Sequence, residues 1–195
     1  MIVPLGRWIL RTACAAAARW QPADPTQIVT VSVNVSPRQL EEADLVDDVV
    51  AALADSGLPA RALTLEITES ALVDESPAFL ERLNALKAIG LSIAVDDFGT
   101  GYSSLSRLRT FPVDILKIDR SFVGDVEEGT GGALVGAVLA LAAALDLDVI
   151  AEGVETRGQA TALAARGCRV VQGYYFARPA RAPAAGPPRL PATRP

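Results

Sequence analysis

Six short apolar segments recur along the chain at intervals of about thirty residues, and nearly every one closes on a polar side chain. Strands separated by helical stretches of that length pair in parallel, because the helix returns the chain to the same end of the sheet. The pattern predicts strands over 28–35, 63–68, 91–97, 115–119, 148–154 and 169–176. Val29, Val31, Val33 and Val35 alternate with Thr30, Ser32 and Asn34, and Leu63, Leu65 and Ile67 alternate with Thr64, Glu66 and Thr68. Helices are expected over 5–19, over 37–54 behind a Ser36/Gln39 capping box, and over 77–89 between Ser76-Pro77 and Gly90. Three more are expected over 103–110, over 133–145, and from a Thr156/Gln159 capping box to Gly167. The 133–145 helix is apolar nearly all round and is expected to be well buried.

Two architectures share this rhythm, the doubly wound sheet and the (β/α) barrel. A doubly wound sheet meets helices on both faces, so its strands read as continuous apolar runs. Here most strands keep one face small or polar, which suits a barrel interior narrowing towards a site. The expected fold is α/β, a TIM-like barrel over 1–179, with a disordered Pro/Ala/Arg tail over 180–195.

Composition removes several chemistries. The sequence has 195 residues, no histidine and a formal net charge of −5. Histidine-based nucleophile systems, histidine-ligated zinc and imidazole proton shuttles are excluded. An acidic chain lacks the basic face that duplex nucleic acid needs. Cys14 and Cys168 form no C-x-x-C pair and read as buried, reduced thiols in a cytoplasmic protein. No segment is long and apolar enough to span a membrane, and the N-terminus does not read as a signal peptide.

The strand ends carry the chemistry: Asn34, Glu66, Asp96 with Asp97, Lys117 with Asp119, Glu152 and Gln172. In a barrel, all C-terminal strand ends converge on one face. Each residue alone has a plain explanation as a cap, an edge residue or an ion-pair partner. Together, so many converging carboxylates repel one another unless a hard cation such as Mg²⁺ or Mn²⁺ joins them. One or two such ions acting on a phosphate ester is the natural reading. A sugar- or aldehyde-handling barrel would instead use Lys117 as a Schiff-base nucleophile.

The same residues resemble a known family. Leu65-Glu66-Ile67-Thr68-Glu69-Ser70, Asp96-Asp97-Phe98-Gly99-Thr100-Gly101, Lys117-Ile118-Asp119, Ala151-Glu152-Gly153-Val154-Glu155-Thr156 and Gln172-Gly173-Tyr174 are similar, in order and spacing, to the EAL-domain family. The resemblance implies a TIM-like barrel that hydrolyses cyclic di-GMP to pGpG with Mg²⁺ or Mn²⁺. It implies Asn34, Glu66, Asp96, Asp97 and Glu152 as metal ligands, with Glu152 as ligand or general base and Lys117 orienting the attacking water. Glu69 resembles the residue that steadies the loop from Phe98 to Ser104, including Gly99, Thr100 and Gly101, which also shapes a homodimer interface. Asp119, Glu155 and Gln172 resemble supporting and substrate-side groups.

The signature Glu-Ala-Leu occurs nowhere in the sequence. Its glutamate is a metal ligand in the family, so the chain is expected to begin inside the domain, without the first barrel strands. Impaired hydrolysis is the corresponding expectation. The alternatives are a cyclic di-GMP-binding or protein-interaction module without catalysis, and a decayed fragment.

Overall fold

The computed structural model describes residues 1–24, 26–73, 76–99, 105–127 and 130–182. They fall mainly into two compact units, one comprising Met1–Ala94 and Ser103–Val113, the other Val95–Tyr102 and Asp114–Arg181.

In the first unit, α1 (Ile2–Trp20) buries Gly6, Leu10, Cys14, Ala16 and Ala17. Pro4 sits in its first turn, where a missing N–H costs nothing. The strand β1 (Val31–Asn34) is followed by α2 (Pro37–Glu41), whose Ser36/Gln39 capping box forms as its sequence predicts. The single helix expected over 37–54 is instead two, since the chain turns extended at Glu42 before α3 (Leu45–Ser56). The break is a packing result. Gln39 is tied to Ser36 and Leu40 is buried, and the reoriented α3 then buries Leu45, Val49, Ala52 and Leu53. Arg7 on α1 pairs with Asp48 on α3 at 2.7 Å.

The strand β2 (Leu63–Thr68) pairs in parallel with β1 in a register that sets Asn34 beside Glu66. A short 3₁₀ turn (Glu69–Val73), then α4 (Pro77–Ile89) and β3 (Ser92–Phe98) follow. Leu63, Leu65, Ile67, Leu72, Leu83, Leu86 and Ile93 are fully buried. Phe79 meets Phe111, just beyond α5 (Leu105–Thr110), edge to face at 5.7 Å.

In the second unit, β4 (Ile115–Ile118) runs into α6 (Arg120–Gly124), a helix absent from the sequence expectation. The fourth strand therefore ends at Ile118, and Asp119 becomes the N-cap of α6. Next come α7 (Thr130–Ala144), β5 (Asp148–Ala151), α8 (Arg157–Ala165) and the two-residue strand β6 (Val170–Val171). Ile118, Val123, Val126, Val135, Ala151, Val154 and Leu163 form the core of this unit.

The expectation of a well-buried α7 is corrected. Only Gly131, Gly132, Val135 and Ala142 are buried, and Leu134 is 46% exposed. A run of alanines carries no periodic signal, and an exposed alanine sacrifices little apolar area. Both late strands are shorter than expected, since the chain leaves β6 in a tight turn where Phe176 and Ala177 donate to the Gly173 carbonyl.

The strands follow the order β1-β2-β3-β4-β5-β6, and the β1–β2, β4–β5 and β5–β6 pairs are parallel. Strictly sequential order is that of a (β/α) barrel, whereas a doubly wound sheet reverses at a switch point. The fold class is thus α/β with six parallel-barrel strands among the described residues. The cysteines Cys14 and Cys168 are buried and free. Among the described residues no helix is long and apolar enough to cross a membrane.

Candidate metal centre

Strand register sets up the second unit's polar cluster. Lys117 opposes Ile150 and Ile118 opposes Ala151, after which the Glu152 amide donates to the Ile118 carbonyl at 3.1 Å. Ala151 opposes Val171, and the Gln172 amide donates to the Ala151 carbonyl at 2.8 Å. Glu152 and Gln172 therefore leave their strands at the same level, and Gln172 Nε2 donates to Glu152 Oε1 at 2.5 Å.

Lys117 is the centre of the arrangement. Its side chain is 3% exposed, and its Nζ lies 2.6 Å from Glu152 Oε1 and 2.9 Å from Asp96 Oδ1. Burying an ammonium is costly unless it is paired and hydrogen-bonded, and these carboxylates meet that cost. A lysine held as an ammonium between two acids is not the free amine that Schiff-base chemistry requires.

Asp96 and Asp97 close β3. Asp97 adopts the left-handed region with φ of 55°, a conformation aspartate tolerates better than most residues. Its amide donates to Asp96 Oδ1 at 3.1 Å. Partial burial raises the Asp97 carboxyl above its ordinary value, and the neighbouring Asp96 and Asp119 charges push the same way. Asp119 goes the other way. Burial opposes its charge, but hydrogen bonds from Ser121 outweigh that effect and hold it below the ordinary range. The Ser121 amide donates to Asp119 Oδ1 at 2.9 Å.

One oxygen each from Asp96, Asp97 and Glu152 lies within 4.8 Å of the others. At that separation two carboxylates repel by roughly 3 kcal/mol at an effective dielectric constant near 20. Lys117 and Arg120 stand against four acids, Asp96, Asp97, Asp119 and Glu152. An all-oxygen donor set with excess negative charge fits a hard divalent cation, Mg²⁺ or Mn²⁺, and gives no foothold to soft metals.

In the first unit, register places Asn34 and Glu66 side by side, and Glu66 is buried at 6% exposure. Glu69 is likewise buried and opens the 3₁₀ turn. Gly99 has a φ of 100°. Thr100 and Gly101, with positions 102–104 of the loop expected to shape a homodimer, lie outside the described residues.

Beside Glu152 opens a pocket of about 450 Å³ lined by Arg120, Glu155, Gln172, Tyr174 and Arg178, among others. The Arg178 guanidinium lies 4.9 Å from the Tyr174 ring centre, a cation–π contact. Sequence reasoning missed Arg120, Tyr174 and Arg178 as pocket residues. Tyr174 was visible only as part of a motif, and both arginines lie just beyond predicted strand ends.

Comparison with known proteins identifies relatives of this chain. The sequence pattern of the EAL domain matches residues 1–179. An uncharacterized protein of Synechocystis is 43% identical over 180 residues, 92% of this chain and 26% of the relative. The chain spans about a quarter or less of the length of the first curated relatives it matches. Among solved structures, the PaMucR phosphodiesterase in complex with c-di-GMP superposes with a TM-score of 0.85 at 40% identity, covering 91% of this chain and 72% of that one. A manganese and cyclic di-GMP complex of Klebsiella pneumoniae BlrP1 gives 0.81 at 32% identity, over 91% and 45% of the two chains.

Proposed function

We propose a function from one premise: this chain belongs to the EAL domain family. The reaction its site serves is hydrolysis of one phosphodiester bond of cyclic di-GMP, giving linear pGpG. The observation that carries the reading is the Lys117 ammonium bridging Asp96 and Glu152 beside Asp97.

Asp96, Asp97 and Glu152 would hold the ion, and the family resemblance adds Asn34 and Glu66. When bound, Mg²⁺ or Mn²⁺ supplies charge neutralisation at the phosphoryl oxygens and a more acidic water. Lys117 and Gln172 both donate to Oε1 of Glu152 and so fix its carboxylate plane. Glu152, so oriented, accepts the proton of the attacking water, and Lys117 aligns that water. The P–O3′ bond breaks as the new P–O bond forms, and the leaving oxygen takes up a proton from solvent. Arg120 and Arg178 supply positive charge for a phosphodiester, and Tyr174 offers an aromatic face to a base. Glu155 lines the same pocket as a supporting group, and the loop from Phe98 to Ser104 provides a homodimer contact.

The test uses the purified full chain with MnCl₂ and cyclic di-GMP, following pGpG by chromatography. Turnover that Glu66→Ala abolishes supports the assignment, and no turnover with either Mn²⁺ or Mg²⁺ defeats hydrolysis.

The pocket lined by Arg120, Tyr174 and Arg178 also suits a second reading, in which the chain binds cyclic di-GMP without cleaving it. Calorimetric binding without pGpG formation selects that reading, and binding of neither metal nor nucleotide removes both.

A further inference from the structure

The short helix α6 lies against the site through two glycines. A Cβ placed on Gly99 would come within 2.7 Å of Cε2 and 2.9 Å of Cζ of Phe122. A Cβ placed on Gly153 would come within 2.4 Å of the Arg120 Cβ. Both glycines have positive φ, 100° and 70°, and each sits immediately beyond site residues, Gly99 after Asp96-Asp97-Phe98 and Gly153 after Glu152. Such close approach leaves neither turn room to move towards the helix. The helix itself is anchored. Asp119 caps its N-terminus, Val123 is fully buried, and Phe122 packs on the same core that holds Ile118 and Ala151.

We propose that Phe122 is a positioning residue for the site assigned above: its ring is the stop that fixes the Asp96–Gly99 turn. The proposal rests on the metal reading for its consequence, but not for its observation. Within this turn Phe98 is buried and Asp96 is paired with Lys117. Asp97 is exposed in the left-handed region, and its amide is held by the adjacent Asp96 side chain. A carboxylate pair that must present two oxygens to one cation loses affinity when its backbone wanders. Changes one layer behind the ligands typically cost about tenfold or more in metal affinity. Arg120, two residues away on the same helix, backs the Glu152-Gly153 turn, so α6 sets the spacing of both halves of the acidic cluster.

The experiment compares Phe122→Ala, Phe122→Leu and Phe122→Met with Val123→Ala in the full chain. Val123→Ala is the control for stability, because it removes core volume without touching Gly99. Leucine keeps apolar bulk but lacks the reach of the ring's Cε2 and Cζ, whereas methionine keeps the reach. Hydrogen exchange of residues 96–99 is read without metal, and MnCl₂ affinity is read by calorimetry. Phe122→Ala and Phe122→Leu should speed exchange at 96–99 about tenfold and weaken Mn²⁺ binding by a similar factor. Phe122→Met should restore most of both, and Val123→Ala should lower the Tm while leaving exchange at 96–99 nearly unchanged. Unchanged exchange at 96–99 in both short variants overturns the proposal, as does equal acceleration in Val123→Ala. If the unsubstituted chain binds no Mn²⁺, the metal reading falls, and the exchange comparison still decides the role of Phe122.

Discussion

Lys117 Nζ stands 2.6 Å from Glu152 Oε1, joining two adjacent strand ends through a side chain that is 3% exposed. The same ammonium reaches Asp96 on β3. Three strands thus share one cation, which offsets part of the acidic cluster's repulsion in the absence of metal.

Replacing Lys117 with methionine keeps volume and removes the charge. Unpairing Asp96 and Glu152, which are only partly buried, costs up to about 3 kcal/mol in the metal-free chain. Thermal unfolding should show that loss and its partial recovery in MnCl₂. Hydrolysis of cyclic di-GMP should fall by about a hundredfold or more, because the group aligning the water is gone. An unchanged metal-free Tm would show that the ion pairs contribute nothing.

Asp97 and Asp119 should titrate in opposite senses. The Asp97 carboxyl is raised, so its charge opposes folding above its folded value, and that penalty disappears as pH falls towards the ordinary aspartate range. The Asp119 carboxyl is lowered, so its contribution is present above the ordinary range and is lost as pH falls through its folded value. In metal-free protein at neutral pH, Asp97→Asn should raise the Tm, and asparagine tolerates its positive φ. Asp119→Ala should cost about 1 kcal/mol, the usual worth of an N-cap. Both differences should shrink in acid, and parallel pH profiles for the two variants would refute the assignment.

Gln172→Ala removes a donor that holds Glu152 Oε1. The pair is exposed, so the stability loss should stay under about 1 kcal/mol, while the hydrolysis rate should drop about tenfold. Gln172→Glu, which sets a like charge against Glu152, should be worse than alanine. Steady-state kinetics in MnCl₂ distinguish the two, and equal rates would mean that only the missing volume matters.

Gly173→Ala tests the turn that limits β6. A Cβ there would lie 2.1 Å from the Val154 carbonyl oxygen and 2.3 Å from its amide nitrogen, and backbone cannot step aside as a flexible side chain can. The expected outcome is a loss well above the roughly 1 kcal/mol of an ordinary point change. Denaturant titration measures it, and a near-neutral result would show that the turn relaxes.

Much of this architecture was legible in advance. The alternation over residues 63–68 matches β2 to the residue, and Ser36 with Gln39 and Thr156 with Gln159 cap their helices as their spacing requires. Helix α6 was hidden because Arg120-Ser121-Phe122-Val123-Gly124 is too short to show a period. Arg178 was hidden because its meaning depends on where Tyr174 lies. The burial of α7 was misread because its alanines mark no face.

By itself the sequence determined the order of strands and helices and the polar residue near each strand end, since periodicity and caps act within a few neighbouring residues. It also determined the chemistry on offer, carboxylates, amides, arginines and two lysines with no histidine, because that is composition. Only the tertiary structure decided which of those groups meet. Gln172 reaches a glutamate twenty residues away, and Lys117 lies between Asp96 and Glu152, because strand register brings distant segments to one level. Asp119 turned to capping α6 for the same reason in reverse: the strand stops at Ile118, where pairing ends, and the next carboxylate serves the nearest unpaired amide.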